Sequence, residues 1–443
     1  MKKIFSRTLY ILACVSLAVA CKPKLETPAI DKGSLNLTTY VAIGNSITAG
    51  YADNALYRTG QENSYAKLLA EQFQLAGGGA FKIPLVNPSS VGIGSTGGAR
   101  LALTYVTDAC QGTYITPRPV AASGDLSIFG SVYATQGPFN SFGVPGAKSF
   151  HVPFAGYGNS AAGAGNYNPF FSRMAASETT SSMLTDALAR NPTFFSLFIG
   201  NNDVLLYALS GGAQDAITPT GTFDASIDAT LNALTATCPQ GVVANVPDIT
   251  SLPYFTTVPY NGLVLTATQA AYFNGEHAGS DANFQEGVNG FLIADPAAAG
   301  GKRNAVAGEF ILLSTPQNDL KCTGLGSQTA IPTQYVLTAT EANAIKTATI
   351  NYNNKLKAAA EAKGLAFVDA NAFLKSAIKG MTFDGIKVST TFVSGGAFSL
   401  DGVHLTPLGN ALLTNEFIRS INAKYGSSIP EVDITKYHGV VFP

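Results

Sequence analysis

Four short apolar runs, far apart and separated by helical patterns, most constrain how this 443-residue chain can fold. They are Tyr40–Ile43, Phe194–Ile199, Gly241–Val246 and Leu365–Val368. Each has strand length and little polar alternation, as a strand covered on both faces requires. Between them the apolar spacing becomes helical, over Ser64–Phe73, Ser182–Ala189, Phe223–Ala236 and the long Thr340–Lys363 that stops at Gly364. A last helix is expected over Pro407–Tyr425, with Thr406 as N-cap and Pro407 in the first helical position. Strands alternating with helices predict an α/β fold whose parallel central sheet is covered on both faces. In such sheets the chemistry gathers in the crevice beyond the carboxyl ends of the strands.

Ser46 stands at that place after the first run, in Val41-Ala-Ile-Gly-Asn-Ser-Ile-Thr-Ala-Gly50. Gly44 permits a sharp turn, and a helix N-terminus following it favours developing negative charge. The same Gly-Asn-Ser tripeptide recurs at Ser160, but with no strand before it and no helix after, so Ser160 reads as a loop residue. A serine nucleophile needs a base, and the chain offers His151, His277, His404 and His438. Only His404 has an acid at useful spacing: Asp401, in Ser399-Leu-Asp-Gly-Val-His-Leu-Thr-Pro407, can return to one imidazole nitrogen and leave the other for Ser46. Oxyanion donors are expected from Ile199-Gly-Asn-Asn-Asp203 and from Phe142-Gly-Val-Pro-Gly-Ala147.

In this order the blocks "GNSITAG", "GVPGA", "GNND" and "DGVH" resemble the conserved blocks of the SGNH/GDSL hydrolases, a superfamily of serine esterases and lipases. The resemblance implies a flavodoxin-like three-layer α/β/α sandwich. It implies Ser46 as nucleophile, His404 as general base, Asp401 as its orienting acid, and an oxyanion hole from Ser46, Gly146 and Asn202. It also implies hydrolysis of carboxylic esters (lipid, short-chain acyl or carbohydrate acetyl esters) through an acyl-enzyme. No cofactor or metal is called for. One departure stands beside the nucleophile, where Asn45 replaces the family's usual Asp. Gly92-Ile-Gly-Ser-Thr-Gly97 fits a dinucleotide fingerprint only by letter, since no strand precedes it, and it reads as a flexible loop. Thr48 occupies the last glycine position of a GxSxG elbow, which disfavours the α/β-hydrolase fold.

Residues 1–20 have the basic start and short apolar core of a secretory signal peptide. They lead into Leu17-Ala-Val-Ala-Cys21, which resembles a bacterial lipobox, although Ala18 is an unusual residue there. This implies cleavage before Cys21 and a lipid anchor on it, with residues 21–37 as a tether. An exported lipoprotein of a bacterial cell envelope follows, at the outer membrane on its periplasmic or surface face. Removing Lys2, Lys3 and Arg7 from 27 basic residues leaves 24 against 28 acidic ones. With no basic run in the sequence, nucleic acid is not an expected partner. Cys110, Cys238 and Cys322 allow one internal disulfide of undetermined pairing.

The hydrolase domain is expected over residues 38–430 with insertions near 75–138 and 249–336, and 431–443 as a tail. The aromatics Phe150, Phe154, Tyr157, Tyr167, Phe170 and Phe171 either anchor a loop or wall a substrate pocket. A different class of reading is a non-catalytic, glycan- or ligand-binding surface lipoprotein on a hydrolase scaffold, for which Asn45 and the insertions speak. The intact Ser/His/Asp set speaks for the enzyme.

Overall fold

A computed structural model describes residues 29–163, 167–383 and 385–443. The signal peptide, Cys21 and the first part of the tether lie outside the described residues. Five strands form the central sheet: β1 (Tyr40–Gly44), β2 (Ser141–Gly143), β3 (Phe194–Phe198), β4 (Gly241–Ala244) and β5 (Ala366–Val368). All are parallel, in the order 2-1-3-4-5, which is the flavodoxin-like order. Four of them coincide with the apolar runs. The short edge strand β2 leads into the second sequence block, with Ala42 facing Ser141 and Gly44 facing Gly143. β1, β3 and β4 are buried at every position, as strands covered by helices on both faces must be.

The helices used below are α1 (Ser46–Ala49), α2 (Tyr65–Leu75), α3 (Met183–Leu188), α4 (Asn202–Ala208), α5 (Thr220–Thr237), α6 (Ala339–Ala362), α7 (Ala370–Ile378) and α8 (Pro407–Tyr425). α2 and α8 pack together on one face of the sheet, and α3, α5 and α6 cover the other. The caps act as their residue types demand. Thr338 and Glu341 close a capping box on α6, and Thr406 Oγ1 accepts the Gly409 N–H at the start of α8. The main core begins at Leu35 and Leu37 and continues through Val432 and Ile434, so both flanks of the expected domain pack against it.

The first insertion carries a two-stranded hairpin, Leu101–Asp108 with Gly112–Pro119. The second carries two small apolar clusters of its own, one around Ile293 and Ile331 and one around Phe273 and Leu292. Cys110 at the hairpin tip is disulfide-bonded to Cys322 in the second insertion, a separation of 212 residues. Cys238 is left as a buried free thiol, and burial pushes its pKa up to about 11. No described helix is long and apolar enough to cross a membrane.

Candidate active site

The sheet order changes direction between β1 and β3, and the site sits over their carboxyl ends. β1 stops at Gly44 and α1 begins two residues later with Ser46. α1 lies so close over the sheet that a Cβ on Gly44 would come within 2.1 Å of Thr48 Oγ1, and one on Gly143 within 2.3 Å of the Ala49 nitrogen. Both positions therefore need glycine. Asn45 is the N-cap: its Oδ1 accepts the Ile47 N–H at 3.1 Å, and its amide donates to Asn201 Oδ1 at 3.1 Å. Asn45 is thus engaged by its neighbours through both its oxygen and its amide nitrogen.

His404, from the loop before α8, comes to Ser46 across 358 residues of chain. Its Nε2 lies 2.8 Å from Ser46 Oγ, and its Nδ1 lies 2.8 Å from Asp401 Oδ2. The Asp401 carboxylate accepts four further hydrogen bonds. Oδ1 takes the backbone N–H of Val403 and of His404 and the Ser399 hydroxyl, and Oδ2 takes the Asn54 N–H. Burial by itself would push the Asp401 pKa up. The imidazole of His404 and the hydrogen bonds it receives outweigh that and hold it well below the carboxylate range. With Asp401 ionised, Nδ1–H points to it and Nε2 is left to accept from Ser46 Oγ–H. The Tyr51 ring packs 4.7 Å from the imidazole, and its hydroxyl donates to the Asn54 carbonyl.

The three expected oxyanion donors are each able to give a hydrogen. Among the described residues, neither the Ser46 nor the Gly146 backbone N–H has an acceptor within the protein. Gly146 adopts φ +81°, which favours glycine. Asn202, at the start of α4, gives one amide hydrogen to the Ala147 carbonyl and keeps the other. Two residues that motif reading passed over hold this loop in place. Asn168 donates to the Pro145 carbonyl at 2.8 Å, and Asp203 accepts both the backbone N–H and the hydroxyl of Ser149. Burial raises the Asp203 pKa while those two bonds oppose it. Asp203 was visible as the last letter of the third block; Asn168 lay among the aromatics after the second block, which drew attention away from it.

A cavity of about 80 Å³ opens beside Ser46 and His404. Its polar lining residues are Asn45, Ser46, Asn201, Asn202 and His404, and all its other lining is apolar or glycine. Its walls include Phe198, Ile249, Leu252, Phe373, Leu374 and Leu413, with Met381 and Val388 from the hairpin after α7. None of the aromatics between Phe150 and Phe171 belongs to it. Three of them anchor their loop instead: Tyr157 stacks on Phe171 and receives the His151 ring, and Phe170 and Phe171 are buried, while Phe154 is exposed.

The remaining sequence candidates lie elsewhere. Ser160 is an exposed turn residue. His277 is buried in the second insertion against the Ser327 carbonyl, and the His438 ring contacts the Gly439 carbonyl in the tail. The glycine-rich loop at 92–97 is not free but braced. Ile93 pairs with Leu56 in both directions, and the Ser95 N–H donates to the Tyr51 hydroxyl, so this loop backs the ring that packs on His404. The start of the second insertion reaches the same region, with the Tyr254 N–H donating to the Gly402 carbonyl at 2.9 Å.

Among solved structures, the chain is similar to a GDSL-like lipase from Parabacteroides merdae at 13% identity, over 88% of this chain and 99% of that one, with a TM-score of 0.34. It is similar to an extracellular lipase from Streptomyces rimosus at 13% identity, over 87% and 99%, with a TM-score of 0.34. A variant of an acetyl xylan esterase from Geobacillus stearothermophilus matches at 12% identity, over 88% and 96%, with a TM-score of 0.36. No curated protein matches the chain. The profile of the GDSL-like lipase/acylhydrolase family matches residues 40–417, from the first residue of β1 into α8 and across Ser46, Gly146, Asn202, Asp401 and His404. The chain belongs to that family and is a carboxylic ester hydrolase.

Proposed function

We propose that this protein hydrolyses esters of carboxylic acids with an apolar acyl chain longer than acetyl through an acyl-enzyme on Ser46. The observation that carries the reading is the Ser46–His404–Asp401 hydrogen-bonded chain opening onto a cavity whose only polar lining is the site itself. An acetyl group would leave that apolar surface empty, whereas an acyl chain removes it from water at about 25 cal/mol per Å². His404 Nε2 takes the Ser46 proton as Oγ attacks the ester carbonyl carbon. The resulting oxyanion is received by the N–H groups of Ser46 and Gly146 and the Asn202 amide, each such donor stabilising the transition state by about 3–4 kcal/mol. The imidazolium, balanced by Asp401, returns its proton to the leaving alcohol. A water molecule, deprotonated by the same imidazole, then cleaves the acyl-enzyme and frees the acid and Ser46.

Asn45 does not favour the non-catalytic reading, because its side chain is engaged by Ile47 and Asn201 and takes nothing from the Ser46–His404 contact. The reading extends to an exported enzyme anchored through Cys21. A disulfide between Cys110 and Cys322 fits an oxidising compartment. The test is a fluorophosphonate probe with a Ser46→Ala control, followed by a panel of p-nitrophenyl esters from acetate to palmitate. Labelling of the natural protein only, with kcat/KM rising beyond butyrate, is expected. No labelling and no hydrolysis would refute the mechanism, and a maximum at acetate would refute the acyl assignment. A Cys21→Ser variant is expected to leave the membrane fraction.

A further inference from the structure

The acid loop is held from behind by a segment that no motif singled out. After α1 the chain makes a tight turn in which Ala52 and Ala55 exchange both backbone hydrogen bonds. Its two central residues, Asp53 and Asn54, adopt φ +50° and +62° without being glycine. Positive φ at consecutive central residues is what a two-residue turn of this hand needs, and Asp and Asn tolerate it best after glycine. Such conformations persist where the surroundings over-determine them. Here the surroundings are the acid loop. The Asp53 N–H donates to Ser399 Oγ at 3.0 Å and the Asn54 N–H to Asp401 Oδ2 at 2.9 Å, so the left-handed turn aims two successive amides at one target.

The Asp53 side chain adds a third tie. Its Oδ1 accepts the Leu400 N–H at 2.9 Å, and its Oδ2 accepts the Tyr57 hydroxyl at 2.6 Å. Tyr57 is held in turn by the Arg100 guanidinium, 5.5 Å from its ring centroid. Ser399, Leu400 and Asp401 are thus each bonded to the 53–54 turn, and Ser399 passes its hydroxyl hydrogen to Asp401 Oδ1. The Asp53–Tyr57 pair faces a separate cavity of about 420 Å³ that does not include Ser46 or His404, so it touches no reacting atom.

We propose that Asp53 and Tyr57 are positioning residues for ester hydrolysis: the Tyr57–Asp53 pair fixes the Leu400 amide and the 53–54 turn, and thereby the place where Asp401 meets His404. The proposal rests on the Ser46 mechanism above. Misplacing an orienting group by about 1 Å costs up to roughly 100-fold in rate without changing how the ground-state substrate binds.

The experiment compares Asp53→Ala, Asp53→Asn and Tyr57→Phe with the natural protein and with His404→Ala. It measures kcat and KM on a p-nitrophenyl ester across pH, together with the low-field proton resonance of the His404 Nδ1–H. Expected are a kcat loss of about 10- to 100-fold in Asp53→Ala with KM little changed, a smaller loss in Tyr57→Phe, and partial rescue in Asp53→Asn. The acid limb of the kcat/KM profile should move to lower pH in Asp53→Ala, as the carboxylate supports the imidazolium less well. The low-field resonance should shift or vanish with the kcat loss.

An unmoved resonance with kcat within twofold in both Asp53→Ala and Tyr57→Phe overturns the proposal. So does a change confined to KM, or an acid limb that moves equally in Asp53→Asn while kcat is kept, which marks a charge effect alone. If Asp53→Ala does not fold, Tyr57→Phe, which lacks a single hydroxyl, decides. A natural protein that neither labels nor hydrolyses refutes the Ser46 mechanism, and the resonance still judges the brace on its own.

Discussion

The side-chain amide of Asn45 donates to Oδ1 of Asn201 at 3.1 Å, while its own Oδ1 caps the N–H of Ile47. A carboxylate at position 45 would keep the cap but could not donate. Asn201 would then have to turn its amide and present hydrogens instead. Asn45→Asp is therefore expected to remain labelled at Ser46, with stability within about 0.5 kcal/mol of the natural protein, because Asn and Asp cap equally well. Asn45→Ala loses both bonds next to the nucleophile and should cost about 1–2 kcal/mol. Urea midpoints measured beside probe labelling check both; an unlabelled Asn45→Asp would mean that the amide itself matters to the reaction.

Asn202 holds the Ala147 carbonyl with one amide hydrogen and leaves the other beside Ser46. If that second hydrogen meets only the oxyanion, Asn202→Ala should lower kcat by about 100- to 1000-fold while KM stays near its natural value. A rise in KM alone would make Asn202 a substrate-binding residue instead.

Leu374 and Ala377 bring one face of α7 to the cavity. Filling it from that side should shorten the preferred acyl chain without touching the chemistry. Ala377→Phe is expected to lose kcat/KM on octanoyl and longer esters and to keep it on acetyl and propionyl esters. Each methylene that no longer fits forfeits about 0.8 kcal/mol of burial, roughly a fourfold loss in kcat/KM. Equal losses across the panel would place the acyl chain elsewhere.

What could be read from the sequence follows from the range of each interaction. β1, β3, β4 and β5 were legible because burial on both faces writes a continuous apolar run. Ser46 was legible from its place at the end of β1, and His404 and Asp401 because the chain has only four histidines and this one follows an acid by three residues. β2 was not, since three residues become a strand only by pairing with β1. Asn168, Asp203 and Asp53 were passed over for a similar reason: each is a common polar residue whose meaning lies in hydrogen bonds to another loop. For Asp53 and Leu400 the partners are 347 residues apart. The aromatic stretch after the second block left loop anchor and pocket wall both open, because aromatic content marks burial equally well in either.

The Cys110–Cys322 bond ties the tips of the two insertions across 212 residues. Gln111 adds a hydrogen bond to Asn318 beside it, and neither residue touches the Ser46 site. Cys110→Ser with Cys322→Ser should destabilise the protein by about 2–5 kcal/mol, since the loop released is long. Labelling of Ser46 at room temperature should be unchanged. Melting curves with and without reductant give the comparison, and coincident curves would mean that the insertions hold together without the bond.

His151 offers a pH-dependent test of the loop that carries Gly146. Its Nδ1 accepts the Lys148 N–H at 3.0 Å, and its ring is stacked on Tyr157. Burial first, and then the Lys148 charge, lowers its pKa from 6.5 to about 4, with Asp215 opposing weakly. Above pH 6.5 the ring is neutral in both folded and unfolded chains and costs nothing. Between pH 6.5 and 4 the unfolded chain binds a proton that the folded one does not, so stability falls as pH falls. Below about pH 4 both forms are protonated and the loss is complete, at no more than about 3 kcal/mol. His151→Gln keeps an acceptor for Lys148 without the titrating group. It should therefore match the natural protein at pH 7.5 and melt above it at pH 4.5. Parallel melting curves at both pH values would show that His151 carries none of the acid sensitivity.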